Sequence, residues 1–211
     1  MKLYTYFRSS AAFRVRIALN LKGLAYQPVF VHLAKGEHRA PAYAKVNPQT
    51  LLPTLELDDG TRLNQSLAII EFLDEKHPQP ALLPRDGKAR ARVRSLSYLI
   101  ASEIHPLNNL RVLQHLKRSL GQSEDQINSW YRHWIADGLA KLEAELGSSK
   151  GRFCHGDEPT MADCCLVPQI FNAKRYNSDL APYPNTMRAF EACMKLEAFD
   201  RAQPSKQPDA E

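Results

Sequence analysis

Apolar and polar positions follow two rhythms over the first third of the chain and a single one afterwards. "KLYTYF" (residues 2–7) and "AYQPVFVHL" (25–33) read as strands. Between them, residues 11–22 are mostly apolar, with Arg16 and Asn20 four apart on one side. That is the pattern of a helix buried against a sheet, with Arg16 and Asn20 as its narrow solvent stripe. Lys22-Gly23 is a helix stop. A charged loop with room for a short helix follows. Leu55 and Leu57 then lead into Asp59-Gly60, a hairpin signal, and on to Arg62-Leu63. "LAIIEFLDEKH" (67–77) returns to helical spacing, with Ser66 as its cap. The order β-α-β, loop, β-β-α predicts a parallel pair with a right-handed crossover, then an antiparallel hairpin, in one small mixed sheet with helices packed on it.

"HPQPALLPRDG" (77–87) is a proline-rich linker, and everything after it reads helical: 88–119, 124–147, 160–175 and 185–195. The expected division is therefore residues 1–77, a linker over 78–87, and a helical domain over 88–211. Pro106 should kink or break the first long helix. Thr160 with Asp163 three residues later forms a capping box. The tail "AQPSKQPDAE" is polar and proline-containing, and is expected to be loosely held.

Composition narrows the class. At 211 residues, 44% hydrophobic and 24% charged, the chain suits one large or two small soluble globular domains. It contains no apolar run of the roughly 20 residues a membrane helix needs, and no signal-peptide pattern. The net charge of +5 admits nucleic acid and small anions alike. The densest basic stretch, "GKARARVRS" (87–95), would spread its charges over several helix faces and carries no aromatic platform, so a solvated helix start is expected and no nucleic-acid partner. Cys154, Cys164, Cys165 and Cys193 form no C-x-x-C pair, and no histidine shows metal-ligand spacing. Reduced structural thiols, a cytoplasmic location and no metal follow as expectations.

The stretch that raises a chemical question is "RSSAAFRVRIALNL" (8–21). A serine before a helix is a good cap for orphan amides. Hydroxyls at a helix start can equally hold an anion, a thiolate among them. Both readings of Ser9 and Ser10 stand on these residues alone.

The wider pattern favours the second. "SSAAFRVRIAL", "NPQTLLPTL", "NQSLAIIEFL", "TMADCCLVPQ", "IHPLNNLRVL" and "NAKRYNSDLAPYP", in that order, resemble the zeta-class glutathione transferases, and within them the maleylacetoacetate and maleylpyruvate isomerases. The resemblance runs from residue 2 to about residue 208. It implies a glutathione transferase fold, an α/β thioredoxin-like domain followed by an all-α helical bundle. It also implies glutathione as cofactor, a maleyl keto-dicarboxylate as substrate, cis–trans isomerisation as the reaction, and a homodimer. The class's cysteine after the two serines is Ala11 here. A mechanism through a protein thiol at that position is excluded, and the sulfur must be glutathione's own.

The resemblance also distributes roles. Ser10, with Ser9 as the alternative, activates the thiol. Pro53 is cis, which frees Leu52 to pair with the cysteinyl part of glutathione. Gln65, Ser66 and Gln49 take the γ-glutamyl end. Arg8 and Arg175 hold substrate carboxylates, with Arg111 as a further candidate whose alternative is a surface role. His105 has Asn108 and Asn109 three and four positions later, which predicts one helical face. In the resembled fold that face puts His105 and Asn109 beside glutathione.

Overall fold

The computed structural model describes residues 1–211, which divide into two compact units. The first contains residues 1–83 together with 194–211. Its elements run β1 (Lys2–Thr5), α1 (Ser10–Leu21), β2 (Gln27–Phe30), α2 (Pro41–Ala44), β3 (Thr54–Glu56), β4 (Arg62–Asn64) and α3 (Ser66–Lys76), with α9 (Glu197–Asp200) in the returning tail. The sheet order is β2-β1-β3-β4. Leu3 faces Pro28 in the parallel β1–β2 pairing and Leu55 in the antiparallel β1–β3 pairing, and Leu55 in turn faces Leu63 across the hairpin. The mixed sheet expected from the apolar rhythm is therefore present. Pro28 lies on edge strand β2, where a missing amide is tolerated.

Helix α1 packs on α3, and Ala12, Phe13, Val15, Ile17, Ala18 and Leu19 of α1 join Ile69, Ile70 and Leu73 of α3 in the core. Each fully buried Leu, Ile, Val or Phe adds about 1.5–3 kcal/mol of transfer free energy. The stop at Lys22-Gly23 forms as expected: Gly23 has φ +64°, its N–H reaches the Asn20 carbonyl, and the Leu24 N–H reaches Leu19.

Arg16 corrects the solvent-stripe expectation. It is fully buried. Its guanidinium donates to the carbonyls of Phe7 (2.9 Å) and Tyr6 (3.3 Å), to Thr5 Oγ1 (3.1 Å), and through Nε and Nη2 to the carbonyl of Ala202 (3.1 Å each). Asn20 likewise donates to the Ala198 carbonyl at 2.9 Å. A polar stripe on an apolar helix can face water or a row of carbonyls, and periodicity does not distinguish them. Here two of the carbonyls, those of Ala198 and Ala202, belong to the chain's last segment. That segment is accordingly not loosely held: Phe199, Ala202 and Pro204 are buried, and it packs along α1.

The boundary also differs from the expected linker. The enclosed ammonium of Lys22 donates to Asp74 Oδ1 (2.6 Å) and to the carbonyls of His77 (2.6 Å) and Pro80. Asp74 in turn accepts the amides of Leu82 (2.7 Å) and Leu83 (3.1 Å). These bonds fasten the proline-rich segment, including its cis Gln79–Pro80 bond, to the first unit as far as Leu83.

The second unit, residues 84–193, is helical. Asp86 caps α4 (Gly87–Tyr98) through the Ala89 amide at 2.8 Å. The helix then widens into a π segment, Leu99–Ile104, and tightens into a 3₁₀ turn, His105–Asn108, around Pro106, before α5 (Leu110–Arg118). Ser123 and Gln126 form a capping box at the start of α6 (Glu124–Gly147). The capping box at α7 (Met161–Arg175) is the one legible in the sequence: the Thr160 amide (2.8 Å) and hydroxyl (2.9 Å) donate to Asp163. Burial raises the Asp163 pKa, and bonds from Cys154 and Thr160 offset part of that rise. Helix α8 (Pro184–Met194) receives Glu143 at its start, whose oxygens accept the amides of Asn185 (2.9 Å) and Thr186 (2.8 Å). Helix α4 packs on α7, and the π segment on α6, where Gly138 sits against Ile104 with no room for a Cβ.

Candidate functional site

In the first unit the site is built at the junction of β1 and α1. Ser9 is the N-cap of α1, its Oγ accepting the Ala12 amide at 3.2 Å while its own amide donates to the Tyr6 carbonyl at 2.9 Å. Ser10 is the first helical residue, and both serines are largely buried. Both readings of the pair thus meet in one place. Ser9 does the capping, and no acidic side chain occupies the first turn to compete for the positive end of the helix. Arg8 is exposed and held by aromatic groups: Nη2 donates to Tyr6 Oη at 3.0 Å, and the guanidinium carbon lies 5.0 Å from the Phe7 ring centre.

A second cluster forms where the 47–53 loop meets α3. Leu52–Pro53 is cis, as the resemblance implied. Asn47 and Tyr43 both donate to the Leu51 carbonyl (2.8 and 2.7 Å), which fixes the loop just ahead of it. Leu52 makes no backbone–backbone bond through either its N–H or its carbonyl, so an extended peptide could pair there. Gln65 Nε2 donates to Gln49 Oε1 at 2.7 Å, bringing two expected residues together. Ser66 is not the helix cap. Gln65 holds that position with φ +68°, leaving Ser66 as the first residue of α3. Its Oγ accepts from buried Arg14 Nη1 at 3.3 Å. No side chain caps α3 and no acid lies in its first turn, so its amides suit a carboxylate.

The remaining expected residues lie in the second unit. The Asn109 side chain caps α5 by accepting the Arg111 amide at 3.1 Å. Its backbone is extended (φ −68°, ψ 147°), which ends the helical spacing on which a common face with His105 and Asn108 depended. Asn108 points inward instead, donating to the Tyr131 carbonyl at 3.2 Å, while His105 is half-buried. Arg111 is exposed on α5. Arg175 is the last residue of α7, with its guanidinium 4.8 Å from the Tyr176 ring centre. That ring stacks on Tyr131 at 3.5 Å and 9°. Burial pushes the Tyr131 hydroxyl up to about 12, with the Arg175 charge and its hydrogen bond pulling the other way.

Arg14, Tyr131 and Tyr176 were not singled out from the sequence. Arg14 and Tyr131 sit among buried positions and carry no local signal of what they touch. The adjacency of Tyr176 to Arg175 was visible, but without the partner ring it had no meaning. No group of three or more His, Cys, Asp or Glu side chains is placed to hold a metal ion.

Comparison with known proteins identifies the family. Residues 8–76 match the glutathione S-transferase N-terminal domain, and residues 135–192 the C-terminal domain. A maleylpyruvate isomerase from a Ralstonia species is 48% identical over the full length of both chains. The maleylacetoacetate isomerase of Pseudomonas aeruginosa is 47% identical, covering 99% of this chain and 98% of its own. Among solved structures, a bacterial zeta-class maleylpyruvate isomerase superposes with a TM-score of 0.97 at 47% identity, covering both chains fully. A maleylacetoacetate isomerase from Anaeromyxobacter dehalogenans, solved with glutathione in its active site, gives 0.90 at 47% identity, covering 100% of this chain and 97% of that one. The chain belongs to the glutathione transferase family, and its relatives place it in the zeta class.

Proposed function

We propose that the protein is a glutathione-dependent cis–trans isomerase that converts maleylacetoacetate to fumarylacetoacetate. The observation that carries the reading is the β1–α1 junction. Two buried serines open a helix beside an exposed arginine, and the residue after them is Ala11, so the nucleophile must be borrowed. The cradle fits glutathione: the unpaired Leu52 backbone suits the cysteinyl part, and the Gln49–Gln65 pair with the α3 amides and Ser66 suits the γ-glutamyl carboxylate. His105 and Asn109 are read as further contacts to it.

Glutathione supplies the thiolate whose addition to the cis double bond, and later departure, permits rotation to the trans isomer. Ser10 and the N-terminal amides of α1 favour that anion. An ordinary thiol has a pKa near 8.5. A hydroxyl bonded to an anion contributes on the order of 1.5–3 kcal/mol, and a helix start about 0.3–1 kcal/mol. At about 1.36 kcal/mol per pKa unit, together they lower the thiol by roughly one to three units. A fall of more than about 1.5 units makes thiolate the main form at neutral pH. Arg8 and Arg175 hold the substrate carboxylates and balance the charge developing in the transition state, with Arg111 as a further cation.

A second reading, maleylpyruvate isomerisation, is supported by the Ralstonia relative, 48% identical over the full length of both chains. The two substrates share the reacting group and differ in chain length. An absorbance assay on both, with and without glutathione, decides. The expected result is conversion that depends wholly on glutathione and is faster with maleylacetoacetate. A higher kcat/KM on maleylpyruvate selects the second reading. Conversion that persists after glutathione is dialysed away overturns both. Turnover of chloroacetates or aryl halides above either would make the protein a general glutathione transferase.

We also read the protein as a cytoplasmic homodimer. The four free cysteines fit a reducing compartment, and no helix is long and apolar enough to cross a membrane. The family likeness supports the dimer, and sedimentation checks it.

A further inference from the structure

The tail of the chain reaches the segment that carries Arg8 and the two serines. Asp209 Oδ2 accepts the Phe7 amide at 2.9 Å, and its other oxygen is buried without a partner. The Phe7 carbonyl accepts from Arg16 Nη2 at 2.9 Å, and the same guanidinium binds the Ala202 carbonyl of the tail. Both peptide groups immediately before Arg8 are therefore fixed, one directly by a tail carboxylate and one by an arginine that the tail also holds. The side chain of Arg8 depends on the same two residues, through the Tyr6 hydroxyl at 3.0 Å and the Phe7 ring at 5.0 Å. The Tyr6 ring in turn lies 4.9 Å from that of His32, whose Nε2 pairs with the Glu211 carboxylate at 2.7 Å.

We propose that the C-terminal segment is a strap that aims Arg8, with Asp209 as the positioning residue acting on it through the Phe7 peptide. A guanidinium recognises a carboxylate through a planar fork, so its usefulness depends on direction as well as charge. An exposed arginine that is not directed would sweep many rotamers and lose that advantage. The strap supplies the direction without touching a ligand. Other tail contacts, such as Asn20 with Ala198, stabilise the unit without bearing on the site.

This inference rests on the reading of Arg8 as a carboxylate anchor, and its test separates the two. The probe is succinate, a saturated dicarboxylate, titrated into the full-length, glutathione-saturated protein by calorimetry, with no turnover needed. Asp209→Ala is expected to weaken succinate binding about fivefold, the worth of one ordinary hydrogen bond, while glutathione affinity changes by less than about twofold. Asp209→Asn, whose amide oxygen still accepts the Phe7 N–H, is expected to restore binding. In an Arg8→Ala background the Asp209→Ala loss should vanish, because the two act as one unit. Should Asp209→Ala fail to fold, Asp209→Glu, which keeps the charge but displaces the oxygen, is expected to show the same loss. The same loss with and without Arg8, an unchanged affinity, or an asparagine variant no better than alanine overturns the strap. Failure of the wild-type protein to bind succinate, or binding unaffected by Arg8→Ala, removes the anchor and the strap with it. Intact coupling in a protein that isomerises no maleyl compound overturns the proposed reaction and leaves the strap standing.

Discussion

Replacing Arg16 with methionine tests how the first unit is joined to its own tail. The guanidinium is fully buried and meets five acceptor contacts on four groups: Thr5 Oγ1 and the carbonyls of Tyr6, Phe7 and Ala202. Burial lowers its pKa to about 10, partly opposed by Tyr26 and Asp209, which still leaves it charged at neutral pH. Methionine keeps much of the volume and removes every donor. Thr5 can turn its hydroxyl, and the Tyr6 carbonyl keeps the Ser9 amide at 2.9 Å. The Phe7 and Ala202 carbonyls keep no other donor. Two stranded carbonyls cost about 1–3 kcal/mol each. Relief from desolvating a cation offsets part of that. A net loss of roughly 2–4 kcal/mol follows, against a usual total of about 5–15 kcal/mol. Urea unfolding measures it, with Arg16→Lys expected in between, because one ammonium cannot serve two forks at once. A methionine variant within about 0.5 kcal/mol of the parent, the range of an ordinary surface change, would refute the reasoning.

Two further outcomes are expected. Glu143 accepts four bonds from Asn185 and Thr186, and although burial pushes its pKa up, those bonds prevail and hold it below the usual carboxylate value. Its stabilisation is therefore full above the unfolded pKa and is lost as pH falls through the folded one. Glu143→Gln should cost about 1–2 kcal/mol at pH 7, and the difference in melting temperature from the parent should close below about pH 4. A gap that stays constant with pH would contradict this. Tyr131→Phe keeps the stack on Tyr176 but removes the hydroxyl that meets Arg175. Steady-state kinetics should show the KM for the maleyl substrate rising about fivefold with that for glutathione unchanged. Equal rises in both would make the hydroxyl structural.

Much of this architecture is legible in the sequence because it is local. The two strand rhythms, the Asp59-Gly60 turn, the Lys22-Gly23 stop and the Thr160–Asp163 box each depend on residues within a few positions of one another. What escapes is long-range. Arg16 reads as a surface residue until the chain 186 residues later supplies a carbonyl. The tail reads as loose because its composition is polar and proline-containing, yet Phe199 and Ala202 anchor it. Asn109 loses its place on a common face with His105 because the backbone turns extended after Pro106. The site divides in the same way. Ser9 and Ser10 announce themselves by position, and the cis Leu52–Pro53 bond and the Gln49–Gln65 pair agree with the resemblance. Arg14, Tyr131 and Asp209, which hold groups from a distance, have no signature of their own.

The return of residues 194–211 to the unit that opens the chain also bears on the order of assembly during synthesis. Nascent domains ordinarily fold in the sequence in which they emerge from the ribosome. Here the helical body is one uninterrupted stretch, whereas the leading body waits for its last pieces. Until residue 202 has been translated, Arg16 lacks one of its acceptors, so the half that is made first is the half that is finished last.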